Sequence, residues 1–240
     1  MKSTILLAFA VMAGISAHAA ENADAAKVTA AISKLEAAPN YSWTTTTKLP
    51  NSPFEPGPVE ARTEKGGYTL IRQDVGDNTM EVAFKGTNIV MKQDGDWRLP
   101  GELEGFPAMM AGWIVRNGTA AREATNMLAK ARELKAEGDV LTSDYTSEGA
   151  TALLHFGRET GAPAPKDAKG SIKFWLKDGA LTKFESHLKG LVSFGGDEQD
   201  FEMTRTFDIK AVGTTKVEVP EAALKKLGAK PATEQNAETK

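Results

Sequence analysis

Short glycine-containing turns recur along this chain, and they constrain its topology more than any other feature. Lys65-Gly66-Gly67 separates residues 59–64 from 68–73. Asp94-Gly95 separates 89–92 from 97–99, and Lys177-Asp178-Gly179 separates 172–177 from 181–188. Turns this short join strands lying side by side and antiparallel, whereas a parallel pair needs a long crossover. The flanking segments carry the matching alternation. Met80, Val82 and Phe84 alternate with Glu81, Ala83 and Lys85, and Ile172, Phe174 and Leu176 with Lys173, Trp175 and Lys177. Phe201, Met203, Phe207 and Ile209 alternate with Glu202, Thr204, Thr206 and Asp208. A period of two marks strands with one face buried. Residues 41–48, rich in Thr and aromatics, read as a further strand, as do 140–145, 191–194 and 215–219.

Helical periodicity appears in between. Val28, Ala31, Ile32 and Leu35 share one helix face, with Asp24 as the predicted N-cap and Pro39 as the stop. A short helix from near Pro107 groups Met109, Met110, Trp113 and Ile114 and ends at Asn117-Gly118. Thr119 then caps a helix whose stripe is Ala120, Ala124, Met127, Leu128, Ala131 and Leu134, ended by Gly138. Residues 146–156 read as a helix capped by Thr146 and closed by Gly157, 157–170 as a loop, and 220–227 as a terminal helix opened by Pro220. Helices and strands segregate, with no βαβ alternation, which predicts an α+β fold: one strongly curved antiparallel sheet, a half-barrel, wrapping central helices.

The N-terminus reads as a signal peptide over residues 1–19. Lys2 precedes an apolar run, and Ala17-His18-Ala19 offers the small-x-small site for cleavage after Ala19. That run is too short for the ~20 residues of a membrane-spanning helix. The domain is expected over 20–227, with a disordered tail at 228–240 that lacks large apolar side chains after Leu227. A periplasmic or secreted location follows. The chain has no Cys, which excludes a lipidated N-terminal Cys, disulfides and thiol chemistry. Its net charge of −3, one unit lower without Lys2, argues against nucleic acid and anionic membrane surfaces as partners.

No enzyme signature emerges. His155 and His187 lack a second His or a carboxylate at ligand spacing, there is no G-x-S-x-G elbow, and the acids after Gly195-Gly196 lack the spacing of a calcium loop. No cofactor and no metal are expected. A hydrolase using His155 or His187 would need a Ser or carboxylate beside that His in a cleft.

The order of elements and several local segments resemble the LolA-like family of periplasmic lipoprotein carriers. The segments are Asp24-Ala25-Ala26 opening the first helix, residues 85–91 (Lys-Gly-Thr-Asn-Ile-Val-Met), Phe174-Trp175-Leu176-Lys177-Asp178-Gly179 with Leu181 and Phe184, and residues 214–220. The resemblance implies a soluble, monomeric carrier or chaperone that takes lipid or lipoprotein acyl chains, with an envelope protein as a further partner. The short helix bearing Met109, Met110 and Trp113 would be its lid. Trp43, Met80, Val82, Phe84, Met91, Phe174, Phe184, Phe201, Met203 and Phe207 would line the sheet side of the cleft. The family's early hairpin carries an Arg that locks the lid; the nearest positions, Arg62 and Lys65, do not align with it, so that role is not carried over. Arg205 interrupts an apolar strand face. It is either a buried partner for a lid or an acidic head group, or a rim Arg reaching solvent. The alternative function is a non-enzymatic envelope sensing or scaffolding module of the same fold, in which the same apolar residues fill the interior.

Overall fold

Strand after strand, the chain lays down one open sheet of 11 antiparallel strands in the order β6-β5-β4-β3-β2-β1-β11-β10-β9-β8-β7. The computed structural model describes residues 12–50, 52, 56–75, 78–155, 163–194 and 197–228. The beginning of the predicted signal peptide, the closure of the 146–156 helix at Gly157, and the tail from 229 onward lie outside the described residues.

The first arm is a meander of β1 Asn40–Lys48, β2 Val59–Glu64, β3 Thr69–Val75, β4 Asn78–Lys85, β5 Asn88–Gln93 and β6 Asp96–Arg98. The second contains β7 Lys135–Glu137, β8 Val140–Asp144, β9 Lys166–Lys177, β10 Ala180–Phe194 and β11 Asp197–Lys210. The two arms meet where β1 pairs with β11, Trp43 opposite Ile209 and Thr45 opposite Phe207. Register shifts between β9 and β10, at Leu181/Lys183 and Lys189/Leu191, bend the second arm.

Four helices cover the inner face: α1 Met12–Ala37, α2 Phe106–Asn117, α3 Ala120–Leu128 and α4 Ser147–Leu154. Val28, Ala31, Ile32 and Leu35 of α1, Ala120, Ala124 and Met127 of α3, and Ala150 and Leu154 of α4 are all buried in one cluster with residues from both arms. Thr119 and Thr146 cap α3 and α4 as expected, accepting from the N–H groups of Arg122 and Gly149. The α+β half-barrel read from the sequence is therefore the observed architecture.

Several local expectations need correction. Helix α1 runs through Asp24 without a break, and Asp24 pairs with Lys27 at 2.7 Å instead of capping. Helix α3 stops at Leu128, because Ala131 bridges to Tyr145 and the Arg132 N–H donates to the Asp144 carbonyl at 2.8 Å. Gly138 therefore sits in the β7–β8 turn rather than closing a helix. The expected loop over 157–170 gives way to β9 from Lys166. Gly170 is accommodated there because an added Cβ would lie 2.0 Å from the His187 carbonyl oxygen. Residues 181–188 and 191–194, read as separate strands, form a single strand, and Asp197–Asp200 belong to β11. Residues 215–219 are not a strand. Both edges of β1 and β2 are already paired, so this segment is tied by side chains: Thr215 N–H donates to Asn40 Oδ1 at 2.7 Å and Val217 N–H to Glu64 Oε1 at 3.3 Å.

Ala83 is buried, not solvent-facing. On the outer face Ala83, Val90 and Trp97 pack against Ala223 and Leu227 of α5 Glu221–Leu227. The first arm is thus covered on both sides. Truncating Leu227 to Ala removes the larger apolar anchor of α5 and is expected to cost about 2 kcal/mol. Urea unfolding measures that loss, and faster amide exchange in residues 83–97 would locate it.

Candidate functional site

The alternation of the strands brings nearly every expected cleft residue to one place. Trp43, Val82, Phe84, Met91, Phe174, Phe184, Met203 and Phe207 are buried in the same cluster, and Met80, Met110 and Phe201 pack against it half-buried. Phe184 stacks on Phe207 with ring centroids 4.2 Å apart, and Phe174 lies 6.2 Å from Phe184. Val82, Phe174 and Phe184 are 0% exposed, so no water-sized space touches them. The helices press directly on this lining. The side chains of Met109 and Trp113 lie outside the described residues, while Ala111 and Ile114 of α2 are buried.

A polar cluster interrupts this apolar interface. Arg205 on β11 reaches across to α3, where its Nη2 donates to Glu123 Oε1 at 3.1 Å. The pair is nearly dry, with side chains 19% and 5% exposed. The guanidinium also lies 4.8 Å above the Phe207 ring. Ser186, opposite Arg205 in the β10–β11 register, accepts from the Tyr145 hydroxyl at 2.8 Å. Tyr41 reaches from β1 to accept the Ala121 N–H on α3 at 3.3 Å. Burial raises the Tyr41 hydroxyl above the ordinary tyrosine value and pushes the Tyr145 hydroxyl well above it. Burial likewise holds the Glu123 carboxyl above the usual carboxylate range, with Arg205 and Lys130 pulling the other way.

Arg205 is thus half-buried and paired with a side chain of helix α3. Arg62 and Lys65 are both exposed. Sequence reading missed Glu123, although its signal is plain in retrospect. Glu123 stands three residues after Ala120 and four before Met127, so a lone acid occupies the apolar stripe of α3.

Other features lie elsewhere. His187 does find a carboxylate, Glu202 Oε1 at 2.8 Å, but the pair sits on the outer face, not in the cleft. A cavity of about 360 Å³ nearby is lined by Asp167, Lys169, Lys189, Asp200, Phe201 and Glu202, among others. A second, of about 510 Å³, opens between hairpin tips of the first arm and the start of α3. Among the described residues no cluster of three metal-ligating acids or His occurs, and no helix is long and apolar enough to cross a membrane.

An open antiparallel sheet curled over a helical layer, joined to it by apolar packing and a buried ion pair, is the arrangement these residues define. No family model and no curated protein matches the chain. Among solved structures it is similar to the lipoprotein LppX of Mycobacterium tuberculosis, at 12% identity and TM-score 0.49 over 83% of this chain and 99% of that one. It is also similar to LprF of Mycobacterium bovis, at 10% identity and TM-score 0.48 over 84% and 98%. A LolA superfamily protein of Nitrosomonas europaea matches at 6% identity and TM-score 0.31 over 80% and 94%.

The ion pair makes two predictions. Glu123→Ala removes the carboxylate that pairs with Arg205 in a largely dry interface and is expected to cost about 3 kcal/mol, whereas E123L/R205M restores most of the loss. A double-mutant cycle by urea unfolding measures both. The second concerns pH. Because Glu123 is held above its unfolded value of 4.5, the native state binds the extra proton, and wild-type stability falls as pH rises from about 4.5 through the raised value. E123Q lacks this slope, so its stability relative to wild type is expected to improve over that window. A wild type that gains on E123Q as pH rises would refute the assignment.

Proposed function

We propose that this chain is exported, cut after Ala19, and works outside the cytoplasm as a monomeric, non-enzymatic carrier of lipidated or otherwise apolar cargo. The observation that carries this reading is the charged pair Glu123–Arg205 inside the seam between helices and sheet. A buried ion pair adds little stability over an apolar replacement of the same volume, and its retention favours a register or switching role. It is strong while dry and weak once water or ligand enters, so α3 is held by a contact that opening itself undoes. Trp43, Met80, Val82, Phe84, Met91, Phe174, Phe184, Phe201, Met203 and Phe207 are the surface an acyl chain would occupy as the helices lift. Met109, Met110 and Trp113 belong to the moving layer in this reading.

The magnitudes are compatible. Each buried CH₂ contributes about 0.8 kcal/mol, so one long acyl chain brings on the order of 10 kcal/mol to offset the apolar helix contacts it replaces. A second reading has its own support. The complete burial of Val82, Phe174 and Phe184 is what a sensing or scaffolding module with a permanently filled core would have.

Native mass spectrometry of protein purified from its own envelope separates the two. The carrier is expected to have lost residues 1–19 and to retain a lipid or acylated peptide. Uniformly apo protein that also fails to bind a fluorescent fatty acid favours the filled module and overturns the carrier.

A further inference from the structure

One row of side chains on the inner face of the first arm is polar where the next row is not. The strand registers set Tyr41 opposite Thr63, Thr63 opposite Thr69, and Thr69 opposite Phe84. The neighbouring inner row, Trp43, Ala61, Ile71, Val82 and Met91, is wholly apolar. Thr63 and Thr69 are 8% and 4% exposed, and their Oγ1 atoms lie 2.7 Å apart. A hydroxyl carries one hydrogen and accepts two bonds, so this contact uses one O–H and leaves the other. Among the described residues neither hydroxyl has a further partner. Both line the cavity of about 510 Å³, together with Phe84. The charged groups of that lining turn or bond elsewhere. Glu64 Oε1 accepts the Val217 N–H. The Lys85 ammonium lies 5.3 Å from the Tyr68 ring on the outer face. Arg122 is exposed and already engaged, and its N–H donates to the capping Thr119 Oγ1. What faces the cavity from its buried side is a half-satisfied pair of hydroxyls beside an aromatic ring.

We propose that this cavity seats the uncharged polar head, hydroxyl or ester, of a neutral amphiphile of the glyceride class. The spare threonine O–H donates to a head-group oxygen, the hydroxyl lone pairs accept from its O–H groups, and the first carbons of the chain lie against Phe84. The site rests on the carrier reading above and narrows its cargo to neutral amphiphiles. An ionised head would lose its water here without gaining an opposite charge. An uncharged head loses only hydrogen bonds that the threonines replace. The volume is many times the ~30 Å³ share of one liquid water, so it has room for a head group. Gly66 and Gly86, at the two hairpin tips, have nothing within 4 Å of where a Cβ would stand, which leaves the approach open.

The test uses two probes: monododecanoylglycerol, below its micelle-forming concentration, and diphenylhexatriene, a hydrocarbon fluorophore that reports the apolar interior alone. Wild type is expected to bind both. T63V/T69V removes both hydroxyls at nearly constant shape, so the fold is kept. In that variant glyceride affinity is expected to fall about tenfold, with diphenylhexatriene affinity within about twofold of wild type. T63S/T69S retains the hydroxyls and is expected to stay within about twofold of wild type for both probes. Undiminished glyceride binding by T63V/T69V, or an equal loss in T63S/T69S, overturns the head-group site and leaves the carrier standing. Wild type that binds diphenylhexatriene but not the glyceride does the same. So does dodecanoate, ionised at about pH 8, if it binds wild type more tightly than the glyceride. Glycerol competing as well as the glyceride identifies a free-polyol site and overturns the amphiphile assignment. Failure of wild type to bind either probe overturns the site and the carrier together.

Discussion

Everything in this molecule depends on the pairing of β1 with β11. Each arm of the sheet can be assembled from local hairpins, but the arms become one surface only when Trp43 and Thr45 line up with Ile209 and Phe207. That closure brings together segments more than 160 residues apart. It is the slow, entropically costly contact of the fold. Once made, it places the Phe184–Phe207 stack next to Trp43 and gives the helices a continuous inner face. It also consumes the last free edges of β1 and β11, which is why residues 215–219 cross the sheet's end tied to the side chains of Asn40 and Glu64 rather than joining as a strand.

On that inner face, apolar packing and polar contacts have different tasks. Burial of Phe174, Phe184, Met91 and Leu154 supplies the stabilising free energy, which scales with area and has no direction. Arg205–Glu123, Tyr145–Ser186 and Tyr41–Ala121 are directional and fix where α3 sits. A purely apolar seam would let α3 slide by a turn at little cost. With the charged pair present, a slid helix separates Glu123 from Arg205 in a largely dry seam and leaves the Glu123 carboxylate buried, a state several kcal/mol higher. The pair therefore specifies one register of α3 on the sheet.

Much of the fold was legible in the sequence because its devices are local. The turns at Gly66, Gly95 and Gly179, the caps Thr119 and Thr146, and the period-two faces of β4, β9 and β11 all announce themselves within a few residues. Where local pattern failed, a distant contact had won. The stripe of α3 continues to Leu134 on paper, yet Ala131 and Arg132 are captured by Tyr145 and Asp144. Gly157–Gly170 reads as a loop because glycine and lysine hide the pairing of Gly170 with Leu188. Ala83 reads as outward because α5, more than a hundred residues later, supplies its cover. For the site, the lining residues were visible by alternation and Arg205 by its misfit. Its partner Glu123 lies 82 residues away, and no spacing rule connects the two.

The burial of the lining bears directly on how cargo could enter. Where Val82, Phe174 and Phe184 are fully buried, a ligand reaching them must replace the contacts that cover them rather than fill a void. Such an exchange is cheap only if what leaves and what enters are both apolar, and if the displaced layer is not welded by hydrogen bonds that water cannot replace. The inner layer meets both conditions. Its contacts with the sheet are chiefly alkyl and aromatic, and the ion pair and tyrosine bonds that hold it are groups water solvates well once they part.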